Sequence, residues 1–285
     1  MDKVSTKPDA NHRKPLQEAA LGRKLLRVLN SVPASVLLYA LIMVVVIWVT
    51  FNGAATMGYK WQWYRVPKYL FSYTENGFFL GEIPWGLLAT LALSGTAFIL
   101  AVPLGLLITL LRQSDLIIGR AVANVFLEVV RNTPLLVQLY LFYYVLGPIF
   151  GFDRHVAGIA CLAVFHAALM SEIFRAAINA VPAGQWEAAD SIGFSRAQSY
   201  RYIILPQTIR FMLPPMTGEI VNMIKSTAIV SVIAVAELAT VGRNIISKSF
   251  LSFEIWFTIA AVYMAVTLTI SIFASYLEKR YAVHD

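Results

Sequence analysis

The run "IPWGLLATLALSGTAFILAVPLGLLITLL", Ile83 to Leu111, contains no Asp, Glu, Lys or Arg. A helix rises about 1.5 Å per residue, so roughly 20 apolar residues cross a hydrocarbon core about 30 Å thick. This run is longer than that, and it is apolar on every side, which suits lipid and not the surface of a soluble domain. The same texture recurs outward from it. Val32–Phe51, Asn132–Phe152 and Ile255–Leu277 are also uncharged. Two segments of mixed character complete the set: Val156–Ile178, with Glu172 and Arg175 near its end, and Pro206–Ala236, which holds Glu219 and Lys225. A mean hydropathy of +0.67, with 58% hydrophobic and 14% charged residues, excludes an ordinary soluble domain. The expected fold is an all-α integral membrane protein with about six transmembrane helices.

About thirty polar and basic residues precede Val32–Phe51, which is too long for the apolar core of a removable signal, so that helix reads as retained. Residues 1–31 have few groups able to form a core and read as a basic, unstructured arm. With that arm in the cytoplasm, the inner segments carry 16 Lys and Arg and the outer ones 6, the asymmetry that keeps positive loops inside. Both termini are then cytoplasmic, in a multi-pass membrane protein. The net charge of +7 becomes a topology signal and an attraction for anionic membrane lipid. Nucleic acid is not implied, since no basic run is interleaved with aromatics on a soluble domain. Cys161, the one cysteine, lies within a span and reads as a packing residue. Residues 52–83 are rich in aromatics, including Tyr59, Trp61, Trp63, Tyr64 and Tyr69. They read as an interfacial helix or hairpin, with a partner-binding surface as the other reading.

One polar interruption stands out among the spans: "NAVPAGQWEAADSIGFSRAQSYRYIILPQ", Asn179 to Gln207. Pro182 suits a helix start, and Gln185, Trp186, Glu187, Ala188, Ala189 and Ile192 make about two turns before Gly193, a natural stop. Ser195 with Gln198 has the spacing of a capping box, opening a second helix expected to end near Pro206. Trp186, Ala189 and Ile192 fall near one face. The stretch therefore reads as a small amphipathic knob facing the cytoplasm, shaped to enter a groove.

The string Glu187-Ala188-Ala189, then Gly193, then Ile203-x-Leu205-Pro206 resembles the EAA loop of the permease subunits of bacterial ABC importers. "FLEVVRNTPLLVQLYLFYYVLG" (Phe126–Gly147), "SEIFRAAINAVPAGQWEAA" (Ser171–Ala189) and "LPQTIRFMLPPMTGEIVNMIKSTAIVSVIAVAEL" (Leu205–Leu238) resemble the polar amino acid permeases in particular. The likeness covers about residues 84–280 as one permease domain. It leaves the arm, the helix of residues 32–51, the aromatic segment of residues 52–83 and a tail of residues 281–285 as additions. It implies a five-helix core with cytoplasmic coupling helices, in which Gln185, Trp186, Glu187, Ala188, Ala189, Gly193 and Pro206 engage a cytoplasmic ATPase dimer. It further implies a second permease subunit, the same or related, a periplasmic substrate-binding protein, and an amino acid as substrate. ATP and magnesium belong to the partner ATPase, and no cofactor to this chain. Two departures touch the substrate path. The family often has Tyr and Ala ahead of Glu-Ile-Phe-Arg where this chain has "HAALMSEIFRAA", and an acid after the Lys where this chain reads Lys225-Ser226-Thr227.

The polar groups inside the spans each have two readings. Glu172 and Arg175, three apart on a helix face, form a simple ion pair or serve transport. Lys225 either snorkels to an interface or, with Asn222, Ser226 and Thr227, lines a cavity and binds a substrate carboxylate. His166 is a hydrogen-bonded packing residue or a substrate contact. Asn132, Thr133 and Gln138 flank Pro134, where a helix break exposes backbone groups to a solvent-lined path. Ala101 and Gly105 suit close helix packing. Enzyme readings fail: "IKSTA" lacks the glycines of a phosphate-binding loop, no His and Cys cluster has metal-ligand spacing, and there is no Gly-x-Ser-x-Gly elbow. Two classes remain. A translocation subunit without catalytic residues leads, and an ion-gradient-driven secondary transporter or channel is the alternative. The latter calls for internal repeats, and the sequence has none at a fixed period.

Overall fold

The computed structural model describes residues 32–74 and 77–281, so the basic arm and most of the short tail lie outside the described residues. The chain forms two compact units, residues 1–61 and residues 62–285. In the first, α1 (Val32–Thr56) runs past Phe51 because Asn52 to Thr56 are uncharged and continue the turn. The Thr56 hydroxyl donates back to the carbonyls of Asn52 (3.0 Å) and Gly53 (2.9 Å) and closes the end. Beyond it the rings of Tyr59 and Trp61 meet edge to face, 5.2 Å apart.

The second unit opens with the Gln62 backbone N–H donating to the buried Glu254 carboxylate (2.6 Å). A 3-10 turn (Trp63–Arg65) and a short helix α2 (Pro67–Leu70) lead into an antiparallel hairpin, β1 (Phe71–Thr74) with β2 (Gly77–Leu80), Phe71 opposite Leu80. The aromatic segment is thus mostly turn and hairpin.

Then α3 (Glu82–Gln113) passes through Pro103 unbroken. α4 (Ile117–Asn132) ends before Pro134, and the span expected over Asn132–Phe152 follows as one rod of α5 (Leu135–Tyr140), a π-helical stretch (Leu141–Leu146) and α6 (Gly147–Phe150), bent 106° from α4. Pro134 has no N–H to give and pushes Thr133 out of helical geometry, which makes the break.

α7 (Arg154–Asn179) starts at Asp153, whose carboxylate accepts the Val156 N–H (2.8 Å) and is held below the usual carboxylate range mainly by that bond. Next come α8 (Ala183–Ser191), α9 (Arg196–Ser199), a π-helical stretch (Tyr200–Ile204) and α10 (Leu205–Ser226). The helix expected to stop near Pro206 does not stop. The wider π turn accommodates a ring that has no N–H to offer, and the rod continues through Pro206. A 3-10 turn (Thr227–Ile233) ends at Ala234, φ +56°. α11 (Leu238–Ser249), absent from the sequence expectation, and α12 (Ser252–Tyr281) complete the unit. Among the described residues five helices are long and apolar enough to cross a membrane, or six if the bent pair counts as one span.

The core lies between α3 and α7. Leu93, Ala97, Ala101 and Ile108 pack with Leu162, Ala167 and Met170, while α3, α4 and α12 leave apolar side chains such as Ile99, Val125 and Leu268 exposed. At the tightest approach a Cβ on Gly105 would sit 2.9 Å from the Ala167 carbonyl oxygen and 3.1 Å from the Met170 Cβ. Gly105→Leu should therefore separate the two helices and destabilise the chain by about 2 kcal/mol, read as a lowered thermal unfolding midpoint in detergent. An unchanged midpoint would mean that the helices are not this close.

Candidate functional site

The polar stretch between α7 and α10 is built much as its residues suggest. Pro182 precedes the first turn of α8, and the chain turns back at Gly193, φ +79°, with the Gly193 N–H on the Asp190 carbonyl (3.0 Å) and the Phe194 N–H on the Ala189 carbonyl (3.1 Å). Ser195 and Gln198 form both halves of a capping box. Trp186 and Ala189 face inward, Trp186 against the Tyr200 ring (5.1 Å) beside Ile178, Val181 and Ile204. Ile192 does not share that face; it sits where α8 unwinds and is 65% exposed. Gln185, Glu187 and Ala188 also point outward, and Gln207 donates to the Gln185 side chain (3.2 Å). Tyr200 donates to Gln113 at the end of α3 (3.0 Å), tying the stretch to the bundle. Beside it opens a cavity of about 510 Å³, lined by Gln113, Asn179, Trp186, Asp190, Arg196 and Tyr200.

At the α4–α5 break the buried Gln138 side chain donates to the carbonyls of Val130 (2.8 Å) and Thr133 (3.1 Å) and to the Thr133 hydroxyl (2.8 Å). It serves the backbone that Pro134 leaves open. Thr133 donates to the Val129 carbonyl (2.8 Å) and Asn132 to Glu128 (2.8 Å).

Glu172 holds more than the Arg175 expected of it. Its Oε1 accepts from Arg112 of α3 (2.7 Å) and Arg131 of α4 (3.1 Å), and its Oε2 from Arg175 (2.9 Å), so one carboxylate joins three elements. His166 is fully buried, its Nδ1 2.5 Å from the Glu219 Oε1 of α10. Its Nε2 has no partner among the described residues. Asn222 and Lys225 stand exposed on α10, Ser226 donates to the Asn222 carbonyl (2.8 Å), and the buried Thr227 to the Ile224 carbonyl (2.7 Å).

The structure thus separates the polar candidates into the outer stretch, the break, the Glu172 network, the His166 pair and the end of α10. Glu219 and Glu237 carry roles that the sequence reading did not assign. The Glu237 carboxylate, buried, caps α11 by accepting the N–H groups of Ala239 (2.8 Å) and Thr240 (2.6 Å), and it takes the Tyr263 hydroxyl (3.0 Å). A signal existed for Glu219: an acid inside an apolar span needs a partner, and His166 is the histidine of the neighbouring span.

Known proteins share this architecture. The solved structure described as "Crystal structure of an amino acid ABC transporter with histidines" superposes with a TM-score of 0.66 and 41% identity, over 70% of this chain and 94% of that one. The glutamine transport system permease protein GlnP of Escherichia coli (strain K12) is 37% identical over 166 residues, 57% of this chain and 76% of its own. The probable amino-acid ABC transporter permease protein YckA of Bacillus subtilis (strain 168) is 35% identical over 195 residues, 68% of this chain and 86% of its own. Residues 101–283 match the family described as "Binding-protein-dependent transport system inner membrane component". With the multi-helix membrane bundle and the capped polar stretch between two of its spans, this match means that the chain belongs to that family of inner-membrane transport subunits.

Proposed function

We propose that this subunit carries polar amino acids inward across the membrane, driven by ATP hydrolysis in a separate cytoplasmic ATPase dimer on which the stretch from Ala183 to Pro206 docks. The carrying observation is the capped helix-turn-helix between α7 and α10, which holds Gln185, Glu187 and Ala188 outward while Trp186 and Ala189 anchor it to the bundle. A knob fixed at its base and polar at its tip transmits movement in either direction. When the ATPase closes on ATP and magnesium, the stretch moves with it and pulls on the ends of α7 and α10, a rigid-body switch of access. In this reading nucleotide and metal belong to the ATPase, and this chain is a transport subunit and not an enzyme.

Two permease subunits, identical or related, enclose the path, and a periplasmic binding protein delivers the substrate. Asn222, Lys225 and Ser226, at the end of α10 and free of the main core, are the path groups we favour. Lys225 would meet the substrate carboxylate, with Asn132 and Thr133 at the helix break as further contacts. Glu172, Arg175, His166, Gln138 and Thr227 are engaged within the bundle and shape the path indirectly. Both termini face the cytoplasm. The segments fall into the basic arm, the added helix α1, the aromatic segment and the permease domain from about residue 84 to 280.

The test is purification of the tagged chain in mild detergent from its own cell, with mass spectrometry of what accompanies it. A companion ATPase supports the reading. A chain that purifies alone from a cell making such an ATPase refutes it.

A further inference from the structure

We infer that α4 lies along the inner-leaflet surface of the membrane, where Arg112, Arg131 and Arg175 together hold the phosphate headgroup of an anionic phospholipid. The proposal rests on the cytoplasmic placement of the polar stretch given above.

Three observations carry it. First, charge: three guanidinium groups share the single Glu172 carboxylate, a formal excess of two positive charges, and their side chains remain 31%, 48% and 38% exposed. Each guanidinium has five N–H donors, and only four of the fifteen reach Glu172. Glu128, the acid one turn before Arg131, makes no ion pair with the three arginines among the described residues; its carboxylate accepts from the Asn132 side-chain amide (2.8 Å). A phosphate, with several acceptor oxygens, matches such unspent donors, and arginine suits it geometrically.

Second, level: Arg112 closes the long α3 and reaches the same carboxylate as Arg131, and the Gln113 beside it bonds Tyr200 of the polar stretch. From Glu82 to Arg112 the helix rises about 45 Å, so its end clears a hydrocarbon core about 30 Å thick and stands among headgroups. Third, orientation: α4 meets the α5–α6 rod at 106°, so it runs across the end of the bundle and not through the membrane. Its buried side holds Ala123, Leu127 and Val130. A separate face exposes Ile117, Ile118, Val122, Val125 and Val129, between 58% and 79% exposed, and a polar strip with Arg120 and Arg131 runs between the two.

Aliphatic side chains facing out, beside a basic strip, are the profile of a helix lying in the interface with its apolar face among acyl chains. A lipid brings both complements at once, phosphate for the arginines and hydrocarbon for the valines. The stripe carries no aromatic anchor of the kind that dominates protein interfaces.

The full chain, purified with the subunits that accompany it, is exchanged against phosphatidylglycerol and phosphatidylethanolamine, and the retained lipid is counted by native mass spectrometry. The parent should prefer phosphatidylglycerol. Retention should fall about fivefold in Arg131→Gln, which leaves Glu172 two partners, and stay within about twofold of the parent in Arg131→Lys, which keeps the charge. Equal retention in parent and Arg131→Gln overturns the proposal. Displacement of the lipid by excess inorganic phosphate would mean a free-anion site and overturn it as well. So would crosslinks from Val125→Cys that land in another protein chain. The topology is tested apart: labelling of Asp115→Cys from outside intact cells would refute the cytoplasmic placement, whatever lipid is retained.

Discussion

Gly193→Val should lower amino acid uptake about thirtyfold while leaving the amount of chain in the membrane unchanged. Gly193 stands at φ +79° in the turn from α8 to α9. A branched Cβ is disfavoured there by about 2 kcal/mol, which is a factor of about 30 in the equilibrium constant for holding this turn. Nothing lies within 4 Å of a Cβ placed there, so the penalty is one of backbone conformation and not of crowding. The bundle does not depend on this turn, since α8 is anchored by Trp186 and α9 by its own capping box. The damage should therefore fall on coupling: the variant should insert normally, lose its ATPase on purification and transport poorly. Gly193→Ala should be affected less. Uptake of labelled polar amino acids at the parent rate by the valine variant would remove the turn from the mechanism.

Glu219→Ala should destabilise the chain by about 4 kcal/mol, because it leaves the buried His166 without the partner it has at 2.5 Å. Replacing both residues, as His166→Leu with Glu219→Leu, should recover most of that loss, since no polar group is then left unpaired in an apolar surrounding. Thermal unfolding in detergent reads both. A double variant as unstable as the single would show that packing, and not the pair, sets the cost. The contrast also bears on function. If the double variant is stable yet transports poorly, His166 and Glu219 act on the path and do not merely hold α7 to α10.

Where a signal is local, the residues announced the structure. Ser195 and Gln198, three apart, form the capping box, and Gly193 provides the left-handed turn, because both depend on neighbours within a few positions. The break at Pro134 follows in the same way from a missing N–H. Ile192 leaves the face expected of it for a related reason: a helical wheel assumes that the helix goes on, and α8 ends there. The helix runs on through Pro206 against expectation because the π-helical stretch before it leaves no mark in a pattern based on 3.6 residues per turn.

α11 escaped notice because its twelve residues are too short and too polar to register as a span; only packing shows Leu238, Gly242 and Ile245 to be its buried side. The partners of Glu172 escaped in another way. Arg175 is three residues along the same helix and was legible, whereas Arg112 and Arg131 lie 60 and 41 positions away on other elements. The same holds for Glu219, 53 positions from His166.

Composition and spacing were thus sufficient for the membrane class, most of the spans and the capped turn of the polar stretch, which follow from hydrophobic length and short-range backbone chemistry, whereas the family was legible only through the likeness of its motifs. The fold alone decided which charges meet, because in a bundle the partner of a buried group is set by how helices cross and not by distance along the chain.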